Sequence, residues 1–324
     1  MRHLCETHHL TPLPQIGDDG RHHVPLGECG VDDGDEPIDA HAAWRQGAVH
    51  RVRAGVLLSR AVLTAFRVGS LTAMTDLVFL PGLHGDAQTW ATVMRALPDG
   101  LHATALDLPA VADLDALVDE VAGRVAPGSV VVGHSLGGVV AMHLAERHPP
   151  LLAGLVLVTA PVGAEDPESA RARADRAAGL SPEAYEDIAL DGMEAVYYGD
   201  RGHDPELRAE RLRAARAYGP ERFAAHSVAI GARPDRREFP AQAGVPVLIV
   251  GASDDQVVPT EEQRRWAEAN GAGSSGAGAG AGANDDTGGP VTYVEIPETG
   301  HMLPVEAPDE LAGALSSWVR TLDS

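Results

Sequence analysis

The sequence predicts an α/β fold: a mostly parallel central sheet flanked by helices and interrupted by an all-helical insertion. Three observations predict it. From Leu77 onward, short and nearly continuous apolar runs alternate with helical patterns, as strands covered on both faces require. Residues 165–238 break that alternation with no strand candidate. A Gly-x-Ser-x-Gly turn, residues 133–137, joins one apolar run to the helical pattern after it. The chain has 324 residues, 44 % of them apolar, enough for a sizeable core.

In chain order, the strand candidates are Leu77–Leu80, His102–Leu106, Ser129–Val132, Ala153–Thr159, Val245–Val250 and Val291–Ile296. Between and after them, helical spacing marks Trp90–Leu97, Val111–Val125, Gly137–Arg147 and Glu306–Thr321. The core is therefore residues 74–164 and 239–324, and residues 165–238 are a helical cap. Within the cap, helices start at or near prolines: Pro167–Ala178, Pro182–Leu190, Pro205–Tyr218 and Pro220–Gly231. Proline suits a first helical turn because its missing N–H has no partner there in any case. Residues 271–289 are almost wholly Gly, Ala, Ser, Asn and Asp, the composition of a flexible linker.

Residues 1–73 read differently. They hold seven of the 15 histidines and many Pro, Gly and Asp residues, with no sustained periodicity. The expectation is a disordered or non-native N-terminal extension, with Met74 as the true start and some helical character in Ala42–Phe66. Both cysteines, Cys5 and Cys29, fall in this stretch, so no disulfide framework is expected in the body. His8-His9 and His22-His23 lack a carboxylate framework, and no metal is assigned to them.

A net charge of −22 argues against nucleic acid and anionic membrane surfaces as partners. No apolar run approaches the ~18 residues of a membrane span, and no signal peptide is evident, so a cytoplasmic location is the default expectation.

Four segments carry chemistry. The first is Val130-Val131-Val132-Gly133-His134-Ser135-Leu136-Gly137-Gly138. A tight strand-to-helix turn exposes the Ser135 hydroxyl as a nucleophile and aims the helix N-terminus at a developing oxyanion. His134, beside it, reads as packing. The second is Leu80-Pro-Gly-Leu83-His-Gly85, which follows the first strand. The backbone N–H groups of Leu83 and Leu136 are the oxyanion-hole candidates; a plain Pro-Gly turn is the competing reading of the Leu83 loop. The third is Glu298-Thr-Gly-His301-Met-Leu-Pro304, after the last strand. His301 is placed to take the serine proton and return it to a leaving group. The fourth, Gly251-Ala-Ser-Asp254-Asp255-Gln-Val-Val-Pro259, offers two carboxylates to orient His301.

Together, Pro-Gly-Leu83 with Trp90, Gly-His-Ser135-Leu-Gly-Gly, Asp255-Gln-Val-Val-Pro and Gly-His301-Met-Leu-Pro-Val-Glu306 resemble the α/β-hydrolase superfamily, over about residues 74–322. The stretch from Tyr218-Gly-Pro-Glu-Arg-Phe223 to Ala232-Arg-Pro-Asp-Arg236 is similar to the cap-to-core passage of 3-oxoadipate enol-lactonases. The sequence also departs from the family. The acid usually sits three residues after the strand glycine and four before the proline. Asp254 meets the first condition and Asp255 the second; the more intact Asp-x-x-Val-Pro favours Asp255, with Asp254 as the alternative. The family's early antiparallel strands have no good candidate, and the turn after Asp107-Leu-Pro is shortened to Ala110-Val-Ala.

The resemblance implies a serine hydrolase acting on a small-molecule carboxylic ester or lactone through a Ser-His-Asp triad and an acyl-enzyme, with no cofactor or metal. The same triad could serve a thioesterase, amidase or peroxidase-like activity, and the fold could serve a non-enzymatic ligand-binding protein. Dehalogenase and epoxide-hydrolase chemistries place an aspartate where Ser135 stands. Tyr197, Tyr198 and Met193 could line a substrate pocket or pack within the helices.

Overall fold

A computed structural model describes residues 75–272 and 291–322. The expectations for the N-terminal extension, its helix and Met74 lie outside the described residues, as does nearly all of the 271–289 linker.

Six strands form one sheet: β1 (Thr75–Leu80), β2 (Leu101–Ala105), β3 (Ser129–His134), β4 (Leu152–Val158), β5 (Val247–Ala252) and β6 (Val291–Ile296). Their order is β2-β1-β3-β4-β5-β6, and every pairing is parallel. The strands are apolar in runs because consecutive side chains enter different cores. Val78, Leu80, Val131, Leu155, Leu157, Val247 and Ile249 bury themselves in one layer. Leu77, Phe79, Val130, Val132, Val156, Val158, Leu248 and Val250 bury themselves in the other. With period-2 side chains and helices on both faces, neither parity can be polar.

The flanking helices divide between those layers. Helices α1 (Ala91–Ala96) and the C-terminal α11 (Pro308–Leu322) cover one face with Val93, Leu311, Leu315, Trp318 and Val319. Helices α2 (Leu114–Ala122) and α3 (Leu136–Arg147) cover the other with Leu117, Val118, Val121, Val140 and Leu144. β2 lies on one side of β1 and β3 to β6 lie on the other. The crossovers therefore reverse between β1 and β3, and the loops leaving those strands part at their C-terminal ends. Such a reversal opens a crevice where ligands bind in open α/β sheets.

Between β4 and β5 the described chain forms helices and loops and no strand. It runs through α4 (Pro167–Ala177), α5 (Pro182–Asp191), the short α6 (Met193–Val196), a 3₁₀ turn at Gly199–His203, α7 (Pro205–Gly231) and the short α8 (Phe239–Gln242). Asp166, Ser181 and Asp204 cap α4, α5 and α7 by accepting N–H bonds, each immediately before the proline that begins the helix. Helix α7 is continuous in span but broken in backbone: Gly219 adopts φ 79° and ψ 158° just before Pro220. The two helices expected on either side of Gly219 are thus joined by a kink that glycine permits and proline enforces. The insertion has its own small core of Ala177, Tyr185, Ala189, Ala215, Tyr218 and Phe223, and Leu83 from the β1 loop packs against it.

Apart from helices of a single turn, one described helix departs from the sequence expectation. Helix α9 (Thr260–Ala269) follows β5 and buries Thr260, Gln263, Trp266 and Ala267. The C-terminal helix starts at Pro308, after a separate short turn α10 (Leu303–Glu306), where the sequence suggests one helix from Glu306.

Candidate active site

Ser135 occupies the turn between β3 and α3 at φ 49° and ψ −115°. A non-glycine residue there costs roughly 1–3 kcal/mol, so its surroundings must hold it. They do so through the backbone. Ser135 N–H donates to the Val158 carbonyl (3.1 Å), and the Ser135 carbonyl accepts from Gly138 N–H (2.9 Å) and Val139 N–H (3.2 Å). The glycines allow the close approach. A Cβ on Gly133 would stand 2.3 Å from the Gly137 carbonyl oxygen, and one on Gly137 would stand 2.2 Å from that of Leu80. β1, β3 and α3 can meet this tightly only without those side chains.

His301 comes from the loop after β6, and its Nε2 lies 3.0 Å from Ser135 Oγ. On its other side, Nδ1 lies 3.0 Å from Asp255 Oδ2 and 3.2 Å from Oδ1. All three residues are buried. The Asp255 carboxylate also accepts from Val257 N–H (2.9 Å), Val258 N–H (2.8 Å) and Gln263 Nε2 (3.1 Å), so its oxygens are fixed independently of the imidazole. Asp254, one residue earlier, is directed elsewhere. Its carboxylate accepts from Gln256 Nε2 at 2.9 Å, while its backbone N–H donates to the Thr299 carbonyl at 3.0 Å.

The His301 loop is anchored at every turn. The His301 carbonyl accepts from His134 Nε2 (2.9 Å) and from Thr159 Oγ1 (3.2 Å). Met302 N–H donates to the Val196 carbonyl of the insertion at 2.9 Å. Glu306, with a fully buried side chain, accepts from Gly300 N–H at 2.8 Å and from Tyr198 N–H at 2.9 Å. Burial raises the Glu306 pKa; those backbone donors and Arg201, 3.5 Å away, oppose the rise. Gly300 must be glycine, since a Cβ would stand 2.8 Å from the Tyr197 carbonyl carbon.

Glu306, Gln263, Thr260 and Thr159 were not assigned roles from sequence. The signal for Glu306 was its fixed spacing after Gly300-His301. The other three carry no motif: Thr260 and Gln263 bond within the turn that carries Asp255, and Thr159 bonds the His301 carbonyl from the end of β4. Met193 and Tyr197 pack with Met302 in a small buried cluster, and Tyr197 also lines a cavity.

Leu136 N–H belongs to the first turn of α3, where amides have no partner within the helix. Leu83 lies on the loop after β1, whose tight turn is closed by Gly85 N–H donating to the Gly82 carbonyl at 3.1 Å. The loop lies against the nucleophile turn: a Cβ on Gly82 would stand 2.7 Å from His134 Nδ1 and 3.2 Å from Ser135 Cβ. Among the described residues, no cluster of His, Cys, Asp and Glu could hold a metal ion. No described helix is long and apolar enough to cross a membrane.

A match to the alpha/beta hydrolase family model extends over residues 77–314, most of the chain. The chain belongs to the alpha/beta hydrolase family of enzymes. Its relatives include the pimeloyl-[acyl-carrier protein] methyl ester esterase of Aromatoleum aromaticum, 33 % identical over 169 residues, which are 48 % of this chain and 62 % of that protein. The matches span between 26 % and 62 % of the length of the curated relatives. Among solved structures, a thermophilic esterase from Thermogutta terrifontis shares the fold with a TM-score of 0.67 and 23 % identity, over 77 % of this chain and 91 % of that one. The enol-lactonase from Burkholderia xenovorans shares it with a TM-score of 0.62 and 19 % identity, over 76 % and 92 %.

His134 gives the site a pH signature. Burial, reinforced by neighbouring His301, lowers its pKa to about 3, and its Nδ1 is enclosed without a partner. In an unfolded chain the same imidazole titrates near about 6.5. As pH falls below that value, the unfolded state gains a proton that the folded state refuses. Stability therefore drops between about pH 6.5 and about pH 3, with ~1.4 kcal/mol per pH unit from this group. Urea unfolding of wild type and His134→Gln at about pH 7, 6 and 5 checks this. The variant should lose stability less steeply by about that amount; identical slopes would contradict it.

Proposed function

We propose that this chain is a serine hydrolase that cleaves a carboxylic ester or lactone. The observation that carries the reading is the unbroken run of hydrogen-bond distances from Ser135 Oγ through His301 to Asp255. In the first step His301 Nε2 takes the hydroxyl proton as Ser135 Oγ bonds to the substrate carbonyl carbon. The carbonyl electrons move to oxygen, which the N–H groups of Leu83 and Leu136 receive. Asp255 accepts from His301 Nδ1, keeps Nε2 free to act as a base, and stabilises the imidazolium. Collapse returns the electrons, breaks the acyl–oxygen bond and passes the proton from His301 to the departing alkoxide. A water molecule then repeats the sequence on the acyl-enzyme, releasing acid and free Ser135.

The relatives named as esterases support an ester as the bond cleaved, and the crossover reversal at β1 and β3 supports substrate entry beside Leu83 and Ser135. The residue pattern also supports hydrolysis without a bound cofactor, since every proton and electron pair in these steps has an owner. Hydrolysis of p-nitrophenyl acetate and butyrate by wild type and by Ser135→Ala, run side by side, tests the proposal.

A further inference from the structure

Arg211 is a buried cation of the insertion that the reaction above does not use. It lies on α7 with 7 % of its surface exposed. A guanidinium buried to that degree is normally matched with a carboxylate, because an unpaired charge away from water is costly. Among the described residues Arg211 forms no ion pair. Its one hydrogen bond runs from Nε to the Ala189 carbonyl, at 3.1 Å. Among the described residues its two terminal nitrogens have no hydrogen-bond partner, yet neither is fully enclosed.

They have somewhere to open. A cavity of about 320 Å³ is lined by Arg211, Tyr197 and Ala214 from the insertion and by His84 and Met302 from the core. His84 is the residue after Leu83, and Met302 is the residue after His301, so the loops that carry those two candidate residues both contribute to the cavity wall; Ser135 itself does not line it. Arg213, Glu210 and Asp86 also line it, but Arg213 and Glu210 are exposed, and neither carboxylate forms an ion pair with Arg211. His84 adds no competing positive charge: burial holds its pKa well below the usual histidine range, and its Nδ1 lies 2.9 Å from the Tyr185 hydroxyl.

We propose that Arg211 receives a carboxylate of the substrate, which makes the preferred substrates half-esters or lactones that carry a second, free carboxylate. The proposal rests on the hydrolase reading for the ester end alone; the anion site stands on the unpaired guanidinium and its cavity. A planar guanidinium whose two terminal nitrogens share a free edge suits a carboxylate in a two-bond fork. The ester end would then extend past Met302 towards Ser135.

The test is a binding measurement that needs no turnover. Calorimetric titration of Ser135→Ala protein uses the monomethyl esters of succinate, glutarate and adipate, each beside its neutral dimethyl ester. At least one monoester should bind about tenfold to a hundredfold more tightly than its diester. Adding Arg211→Met should abolish that preference. Arg211→Lys should keep its sign with a weaker fork, and it separates a lost charge from a lost fold, because misfolding weakens monoester and diester alike. No binding of any monoester, equal binding of both forms, or a preference that survives Arg211→Met would overturn the proposal. Failure of the hydrolase reading looks different: wild type leaves all these esters uncleaved while the Arg211-dependent preference in binding persists.

Discussion

Replacing Ser135 with alanine should lower ester turnover by about 10³- to 10⁶-fold without unfolding the protein. The size follows from what the substitution removes and what it leaves. It removes the atom that bonds to the substrate carbonyl. It leaves the Leu83 and Leu136 N–H groups, the binding crevice and His301, which together retain a modest advantage over water. Little stability should change, within about 1 kcal/mol. The Ser135 hydroxyl caps no N–H of α3, and the unusual backbone at φ 49° is no harder for alanine than for serine. Parallel thermal melts and initial rates on p-nitrophenyl butyrate give the answer. A variant that melts normally and keeps more than about a tenth of the activity would rule out Ser135 as nucleophile.

The second large effect separates two adjacent aspartates. Asp255→Asn should cost about 10³- to 10⁴-fold in kcat, whereas Asp254→Asn should cost less than about threefold. Asp255 meets the imidazole at 3.0 Å while accepting two backbone N–H groups and Gln263. An asparagine there keeps its oxygen on the two backbone donors and so turns its NH₂ group towards Gln263 and His301 Nδ1, which favours the wrong histidine tautomer. Some stability should go with the activity, because a buried donor then faces a donor. Asp254 bonds only to the exposed Gln256 side chain through its carboxylate. Measured kcat for the two variants decides between them, and a larger loss at Asp254 would reassign the acid.

The two aspartates also show where sequence stops being sufficient. The strands were legible because burial on both faces forces a continuous apolar run, and Leu77–Leu80 or Val130–Val132 admit no other placement. The strand-to-helix turn at Ser135 was legible because steric closeness dictates Gly133 and Gly137. The position of the acid is not dictated that way. It depends on Thr299, from the loop after β6, and on Thr260, at the start of α9, which pin the backbone of Asp254 and Asp255 respectively at 3.0 and 3.2 Å. Helix α9 escaped notice for a related reason. Two of its four inward residues, Thr260 and Gln263, are polar, and Gln263 faces inward to reach Asp255. A helix whose buried face serves a carboxylate lacks the apolar stripe that periodicity detects. Arg211 was invisible for the opposite reason, since an arginine on an amphipathic helix ordinarily reads as a solvated charge.

Glu306 ties the reaction end of the sheet to the insertion. One carboxylate accepts from Gly300 beside His301 and from Tyr198 in the insertion, so the histidine loop and the helices that line the cavity share an anchor. The anion site and the acyl-transfer site are then held in one frame, as a substrate with charge at one end and an ester at the other requires.

If Ser135 is an activated nucleophile, a fluorophosphonate should form a covalent adduct with it. Such probes form a covalent bond with a serine whose proton a neighbouring base removes. Intact-mass and peptide analysis of the labelled chain should place one adduct on the peptide carrying Ser135, with labelling lost in Ser135→Ala and strongly slowed in His301→Gln. A folded protein that takes no label, or takes it on another serine, would contradict the account.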